Sequence, residues 1–459
     1  MPIFPTPTHN SRIGFHYYPD VDHYRVSDLR DWLPRLKALC ASWLTLVAPQ
    51  DRAIPEPFLT GLIDGDIEPV LQFDLPLRDP PSPKDLSVLF TAYAHWGVHY
   101  IVLFNRPNNP SAWSTPAWAQ TDLVERFLDR YIPIADTALG AGLIPVFPPL
   151  EPGGGYWDTS FLRASMESLK RRGAHDLLDN LVLGGIARVG EKPINWGSGG
   201  PERWPATRPY VTPKGAQDQG GFRIFDWYLA ISNSVLDGSR PVLLFQAGSY
   251  PSDPGNRNGR AGTDHAVKNL VIARALKDGE PKEMLDWPQR DSSLPPLDPI
   301  PMEILGCNFW LLTAETGNDK TSAAWFSPNG EAAPSASLLE NWIARGEKTP
   351  EWKTRPRKTE AVKKGWENPD YPISHYLLLP AFEWGVTDWH LNAARPFIRK
   401  HRPVIGFSLA EAAFAARVTV VGGAQQFPES ELNALRAAGC SVERITGDGT
   451  DIASQLAEK

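Results

Sequence analysis

A chain of 459 residues with 42% hydrophobic content exceeds one ordinary core, so a large domain with a smaller one appended is expected. The balance of 46 Lys and Arg against 53 Asp and Glu gives a formal charge of -7 without a basic stripe, which argues against nucleic acid as a partner. The 3 cysteines, Cys40, Cys307 and Cys440, stand far apart with no C-x-x-C pair, so they read as buried, inert thiols; no zinc site, disulfide framework or other cofactor is indicated.

Short apolar or β-branched runs alternate with helical patterns along the first three quarters of the chain. The runs are Ile13–Tyr18, Trp43–Ala48, Pro69–Asp74, Tyr100–Asn105, Leu143–Phe147, Leu181–Gly185, Pro241–Gln246 and Glu303–Leu312. Between the first two, Leu29, Trp32, Leu33, Leu36 and Leu39 recur at helical spacing behind Ser27 as the expected cap. Similar patterns fill Asp122–Thr137, Phe161–Arg172, Phe225–Leu236 and His265–Leu276. Repeated βα units of this number predict a closed (β/α)8 TIM barrel over residues 1–346. Two connections, Ala187–Gly221 and Ala247–Gly262, are too long for bare βα turns and follow strand ends, on the face where such barrels carry their sites.

From about residue 347 to 369 periodicity gives way to charge (EKTPEWKTRPRKTEAVKKG), which reads as a linker. Residues 370–459 resume a strand–helix alternation and predict a small α/β parallel-sheet domain of Rossmann-like type. Its Gly422-Gly423 pair lacks the rest of a dinucleotide fingerprint. The beginning, MPIFPTPTHNSR, has no charged segment leading into an apolar one, and no run has the length of a membrane span.

The residues that stand at the ends of the strand runs carry the candidate chemistry. FNRPNNPSAW occupies Phe104–Trp113 after the fourth run, P-V-L-L-F-Q-A-G-S-Y begins at Pro241 in the seventh, and the eighth contains Phe309-Trp310. This pattern resembles the clan A glycoside hydrolases, retaining (β/α)8 enzymes whose fourth strand ends in Asn-Glu-Pro-Asn and whose seventh ends in a Glu. Asn105, Pro107 and Asn108 match the first motif, but its acid/base position is Arg106, and the nucleophile position is Gln246. An arginine stays protonated at neutral pH and an amide cannot form a glycosyl ester, so the resemblance implies the fold without its ordinary mechanism.

Three readings follow. The favoured one is a non-catalytic binder of polysaccharide or cell-envelope glycan, a pseudoenzyme in which Asn105, Arg106, Asn108 and Gln246 hydrogen-bond hydroxyls or an acidic sugar. His16, Tyr156, Trp157, Trp196, Trp204, Tyr250 and Trp310 are its other expected ligand contacts, since sugar rings stack on aromatic faces. In the second reading, relocated carboxylates, Asp74, Glu151, Glu191 and Glu315, hydrolyse the ligand. In the third, the cleft is vestigial and the barrel is a structural or interaction module. The segment Arg417–Ala457, with Val-Gly-Gly before a helix and V-E-R-I-T-G after it, resembles the cell-wall-binding repeats of the second type, without their Arg-Tyr and as a single copy. That resemblance implies work at or outside a bacterial cell envelope.

Overall fold

Each of the first eight strands is buried nearly end to end, as strands must be when helices cover one side and a filled barrel lies on the other. In the computed structural model, which describes residues 4–208, 212–253, 264–278, 297–346, 373–380, 388–401, 403–447 and 449–457, they close on themselves. They are β1 (Ile13–His16), β2 (Trp43–Val47), β3 (Glu68–Gln72), β4 (Tyr100–Val102), β5 (Ile144–Leu150), β6 (Val182–Arg188), β7 (Val242–Gly248) and β8 (Ile304–Phe309). All pair in parallel with their sequence neighbours, and β8 returns to β1 through Ile13 opposite Cys307 and Phe15 opposite Phe309. The fold is a (β/α)8 TIM barrel.

One principal helix follows each strand: α1 (Val26–Ala38), α2 (Glu56–Asp64), α3 (Pro83–His95), α4 (Leu123–Gly140), α5 (Asp158–Arg171), α6 (Ile224–Leu236), α7 (Asp264–Asp278) and α8 (Pro334–Gly346). The helix α1 begins before Ser27: Arg25 is its cap, and the Arg25 N–H donates to the Asp28 carboxylate at 2.8 Å. The apolar stripe predicted there does face inward, with Leu29, Trp32 and Leu36 buried.

Inside the barrel, Trp43, Val70, Tyr100, Val102, Val146, Val182, Leu243 and Phe245 form one cluster, with Phe4 from the N-terminal segment packed against it. The indole of Trp43 lies where Gly306 leaves room; a Cβ on that glycine would stand 2.8 Å from the ring. That part of the barrel interior is therefore filled by side chains, and a cavity opens toward the ends where the strands finish.

The chain divides into two units, Met1–Pro350 and Glu351–Lys459. The smaller one holds a parallel sheet of order β10-β9-β11-β12, built from β9 (Tyr376–Leu378), β10 (Val404–Gly406), β11 (Arg417–Val421) and β12 (Ser441–Ile445). Its helices are α9 (Asp388–His401), α10 (Leu409–Ala412), α11 (Glu429–Ala437) and α12 (Gly449–Ala457), the alternation expected of a small α/β domain. The predicted linker, 347–369, lies outside the described residues. All three cysteines are free thiols; Cys307 and Cys440 are buried, whereas Cys40 is half-buried and so departs from the expectation. Among the described residues no helix is long and apolar enough to cross a membrane.

Candidate functional site

Three of the non-glycine residues with left-handed backbone conformations are Asp74 (φ 46°) just past β3, Arg106 (φ 48°) in the loop after β4 and Gln246 (φ 46°) within the last half of β7. Such residues cost on the order of 1 kcal/mol each and persist where surrounding structure over-determines them, often at functional sites. In β7 the pairing register with β8 shifts between Leu244 and Ala247, so Gln246 sits in an irregularity of the strand. The Arg106 N–H is held by the Pro149 carbonyl at 3.0 Å.

These conformations bring the side chains of 106 and 246 together across the barrel mouth. Arg106 Nη2 donates to Gln246 Oε1 at 2.7 Å, and Arg188, the last residue of β6, donates to the same oxygen through Nη2. Glu151, just past β5, faces both guanidiniums. Its Oε1 accepts from Arg188 Nη1 at 3.3 Å, and its Oε2 lies 3.0 Å from Arg106 Nε in an ion contact too bent for a hydrogen bond. Burial pulls the Arg106 guanidinium below its ordinary pKa, Glu151 opposes that, and the group stays cationic throughout the physiological range.

Beneath this network His16 Nε2 accepts the Gln246 backbone N–H at 2.9 Å, which fixes the neutral ring with its proton on Nδ1. Burial, then Arg106 and Arg188, pull its pKa down to about 3. Tyr250 donates its hydroxyl to the Gln246 carbonyl at 2.7 Å, and burial holds that phenol well above its ordinary range.

The side chains surround a cavity of about 390 Å³, whose lining includes the aromatic Tyr18, Tyr250 and Trp310 and the cationic Arg106, Arg188 and Lys320. The Trp310 ring meets His16 edge-on at 5.0 Å and carries the Lys320 ammonium at 5.7 Å; its bond to Leu311 is cis. Asp74 is the sole carboxylate lining the cavity among the described residues. It is open to the mouth yet hemmed in by protein, and that desolvation raises its pKa against the hydrogen bond it accepts from Gln72 at 2.7 Å and the charge of Arg106.

Of the expected ligand contacts, His16, Asn105, Arg106, Gln246, Tyr250 and Trp310 come together around this cavity. The others do not. Asn108 is fully buried, with both functions of its amide bonded to the backbone of Glu151 and Tyr156; it ties the β4 and β5 rims together rather than facing a ligand. Tyr156 packs edge-on against Phe161 at 5.4 Å, and Trp157 lines a separate cavity of about 290 Å³ beside Trp227. Trp196 and Trp204 are fastened within the β6–α6 loop, donating their indole N–H to Asp218 and to the Ser198 carbonyl, each at 2.9 Å.

The four fallback acids do not assemble either. Glu151 is engaged by two arginines, Glu191 is exposed on the loop after β6, and Glu315 pairs at 3.2 Å with His23; only Asp74 reaches the cavity. Among the described residues, no second carboxylate lines that cavity to partner Asp74, which a two-carboxylate hydrolysis requires.

Arg188 and Lys320 were not anticipated. Ending the sixth strand at Gly185 left Arg188 in a loop, although period-two alternation from Val182, inside the barrel, carries it to the inner face. Lys320 belongs to a short helical turn, Asp319–Ala323, and nothing in its sequence neighbourhood marks it.

No family model matches this chain, and neither does any curated protein. Among solved structures it is similar to a monomeric beta-xylosidase from Caulobacter crescentus CB15, at 11% identity and a TM-score of 0.43, over 74% of this chain and 69% of that one. A family 39 glycoside hydrolase from Bacteroides cellulosilyticus WH2 gives 11% and 0.44, over 74% of this chain and 65% of that one. GH5_18 from Bifidobacterium longum subsp. longum gives 11% and 0.41, over 94% and 96%. Likenesses this distant leave the site to be argued from its own geometry.

Proposed function

We propose that the barrel binds a polysaccharide or cell-envelope glycan in the cavity at its mouth without cleaving it. The observation that carries this reading is the hydrogen bond between Arg106 and Gln246, since those two positions are where the resemblance places the acid/base and the nucleophile. A cationic guanidinium cannot donate the proton a leaving alkoxide needs, and a neutral amide whose oxygen already accepts from two arginines has no charge with which to attack carbon.

The cavity itself favours binding over a vestigial cleft. It is not filled by its own side chains, and it pairs apolar ring faces with polar groups, the combination that sugars require. The resemblance of Arg417–Ala457 to a cell-wall-binding repeat is the ground for placing the ligand in the cell envelope.

Binding and product release measured together on a panel of polysaccharides and peptidoglycan test this. The wild type should retain at least one glycan and release no product, and the double variant Arg106→Glu/Gln246→Glu should bind that glycan at least ten-fold more weakly because it replaces donors with charged acceptors. Wild-type turnover lost in Asp74→Asn would overturn the reading in favour of a hydrolase, and failure of the wild type to bind any member would overturn it in favour of a structural module.

A further inference from the structure

Resting on the binding role just proposed, we infer that the sugar seated at the barrel mouth is anionic, bearing a carboxylate or a sulfate ester. The inference comes from the donors that remain unused once the internal network is satisfied. Arg106 donates Nη2 to Gln246 and holds Nε in an ion contact with Glu151 that is not a hydrogen bond, and its Nη1 has no partner among the described residues. Because two guanidiniums converge on Gln246 Oε1, the amide orientation is fixed and its Nε2 is turned away from them; that NH2 also has no partner among the described residues. The Lys320 ammonium stands 5.7 Å from the centre of the Trp310 ring and acts on Asp74 through its charge, but it forms no hydrogen bond or ion pair among the described residues. All three side chains line the same cavity.

Charge points the same way. Arg106, Arg188 and Lys320 bring three positive charges to the cavity wall. Glu151 stands behind the two arginines and Asp74 on the wall itself, so two carboxylates offset three cations and leave one positive charge over. A neutral sugar would leave that charge and the unused donors facing water held in the cavity. An anionic group would take them in charge-assisted hydrogen bonds, which are stronger than neutral ones and less screened in a recess than on a flat surface. Trp310 and Tyr250 beside the cations leave ring surface for the uncharged face of the same sugar.

Calorimetric titration of the full chain with matched oligosaccharides tests this: a uronic-acid oligomer, the same oligomer with its carboxyls reduced to alcohols, and a neutral backbone carrying sulfate esters. At least one of the two anionic ligands should bind about ten-fold or more tightly than the reduced one, and the preference should shrink as salt rises. Which of the two binds tells a carboxylate from a sulfate. Lys320→Glu should lower the ratio of anionic to neutral affinity by ten-fold or more, whereas Lys320→Arg should preserve it. Equal binding of anionic and reduced ligands would overturn the inference and leave the glycan-binding role standing; binding of none of them, with none on the wider panel, would remove both.

Discussion

Replacing Asn108 with Asp is expected to cost the barrel about 3–5 kcal/mol, the range for an unpaired buried charge with lost hydrogen bonds. Asn108 is wholly buried, and its Nδ2 donates to the Glu151 carbonyl at 2.8 Å and the Tyr156 carbonyl at 3.0 Å while its Oδ1 accepts the Glu151 N–H at 2.9 Å. An aspartate has no donor, so both carbonyls would lose their partner and face a negative charge. Asn108→Ala removes the same bonds without the charge and should cost less. Calorimetry should show the barrel's melting temperature falling by on the order of 8 °C for the aspartate and roughly half that for the alanine. Because Glu151 hangs from this junction, ligand affinity should fall in the same order. Equal melting of both variants and the wild type would show that the rim does not depend on Asn108.

The second large effect is acid instability centred on His16. Its folded pKa is pulled down to about 3, below the unfolded value, so below about pH 6.5 the unfolded chain takes up a proton that the folded chain refuses. Stability from this group is whole above that pH and is lost as pH falls toward 3. The physical reason is local: a proton on Nε2 would confront the Gln246 N–H it now accepts and add a charge beside Arg106 and Arg188. Asp158 works in the opposite sense. Burial raises its pKa to about 6, so it contributes stability as pH falls below that value.

Comparing the wild type with His16→Gln cancels the Asp158 contribution, since both proteins carry it, and glutamine retains an acceptor for the Gln246 N–H. Urea unfolding at pH 7 and pH 5 should show the wild type losing about 2 kcal/mol relative to the variant, the integral of one proton over that interval. Parallel stability curves would mean that His16 titrates normally and is not buried under the arginines.

The barrel was legible because its signal is repeated: apolar strand runs, each followed by a helical stripe, leave little choice but a closed parallel sheet. Strand ends were less legible. The fifth run was expected to end at Phe147, yet β5 continues through Pro148 and Pro149 to Leu150, with its pairing to β6 shifted in register between Phe147 and Leu150 where those prolines lack backbone donors. That extension is what places Glu151 opposite Arg106. The sixth strand was likewise cut short of Arg188.

Motif spacing found Arg106 and Gln246, but their direct contact depends on backbone turns with positive φ at both residues, and no pattern of residue types announces those. Trp43 fills the barrel interior, Trp325 lies in the outer core and Trp196 is fastened to its own loop, so of the tryptophans expected at the ligand Trp310 alone reaches the cavity. A large indole in a sequence is more often packing than a sugar platform, and only position decides.

The most direct test of a site that holds a glycan without cutting it is a crystal structure of the wild-type chain soaked with the tightest-binding oligosaccharide. The predicted result is an intact oligosaccharide in the cavity, with oxygens within hydrogen-bond distance of Arg106 Nη1 and Gln246 Nε2 and a ring against Trp310. A shortened product in the cavity, or a sugar bonded to a side chain there, would contradict it.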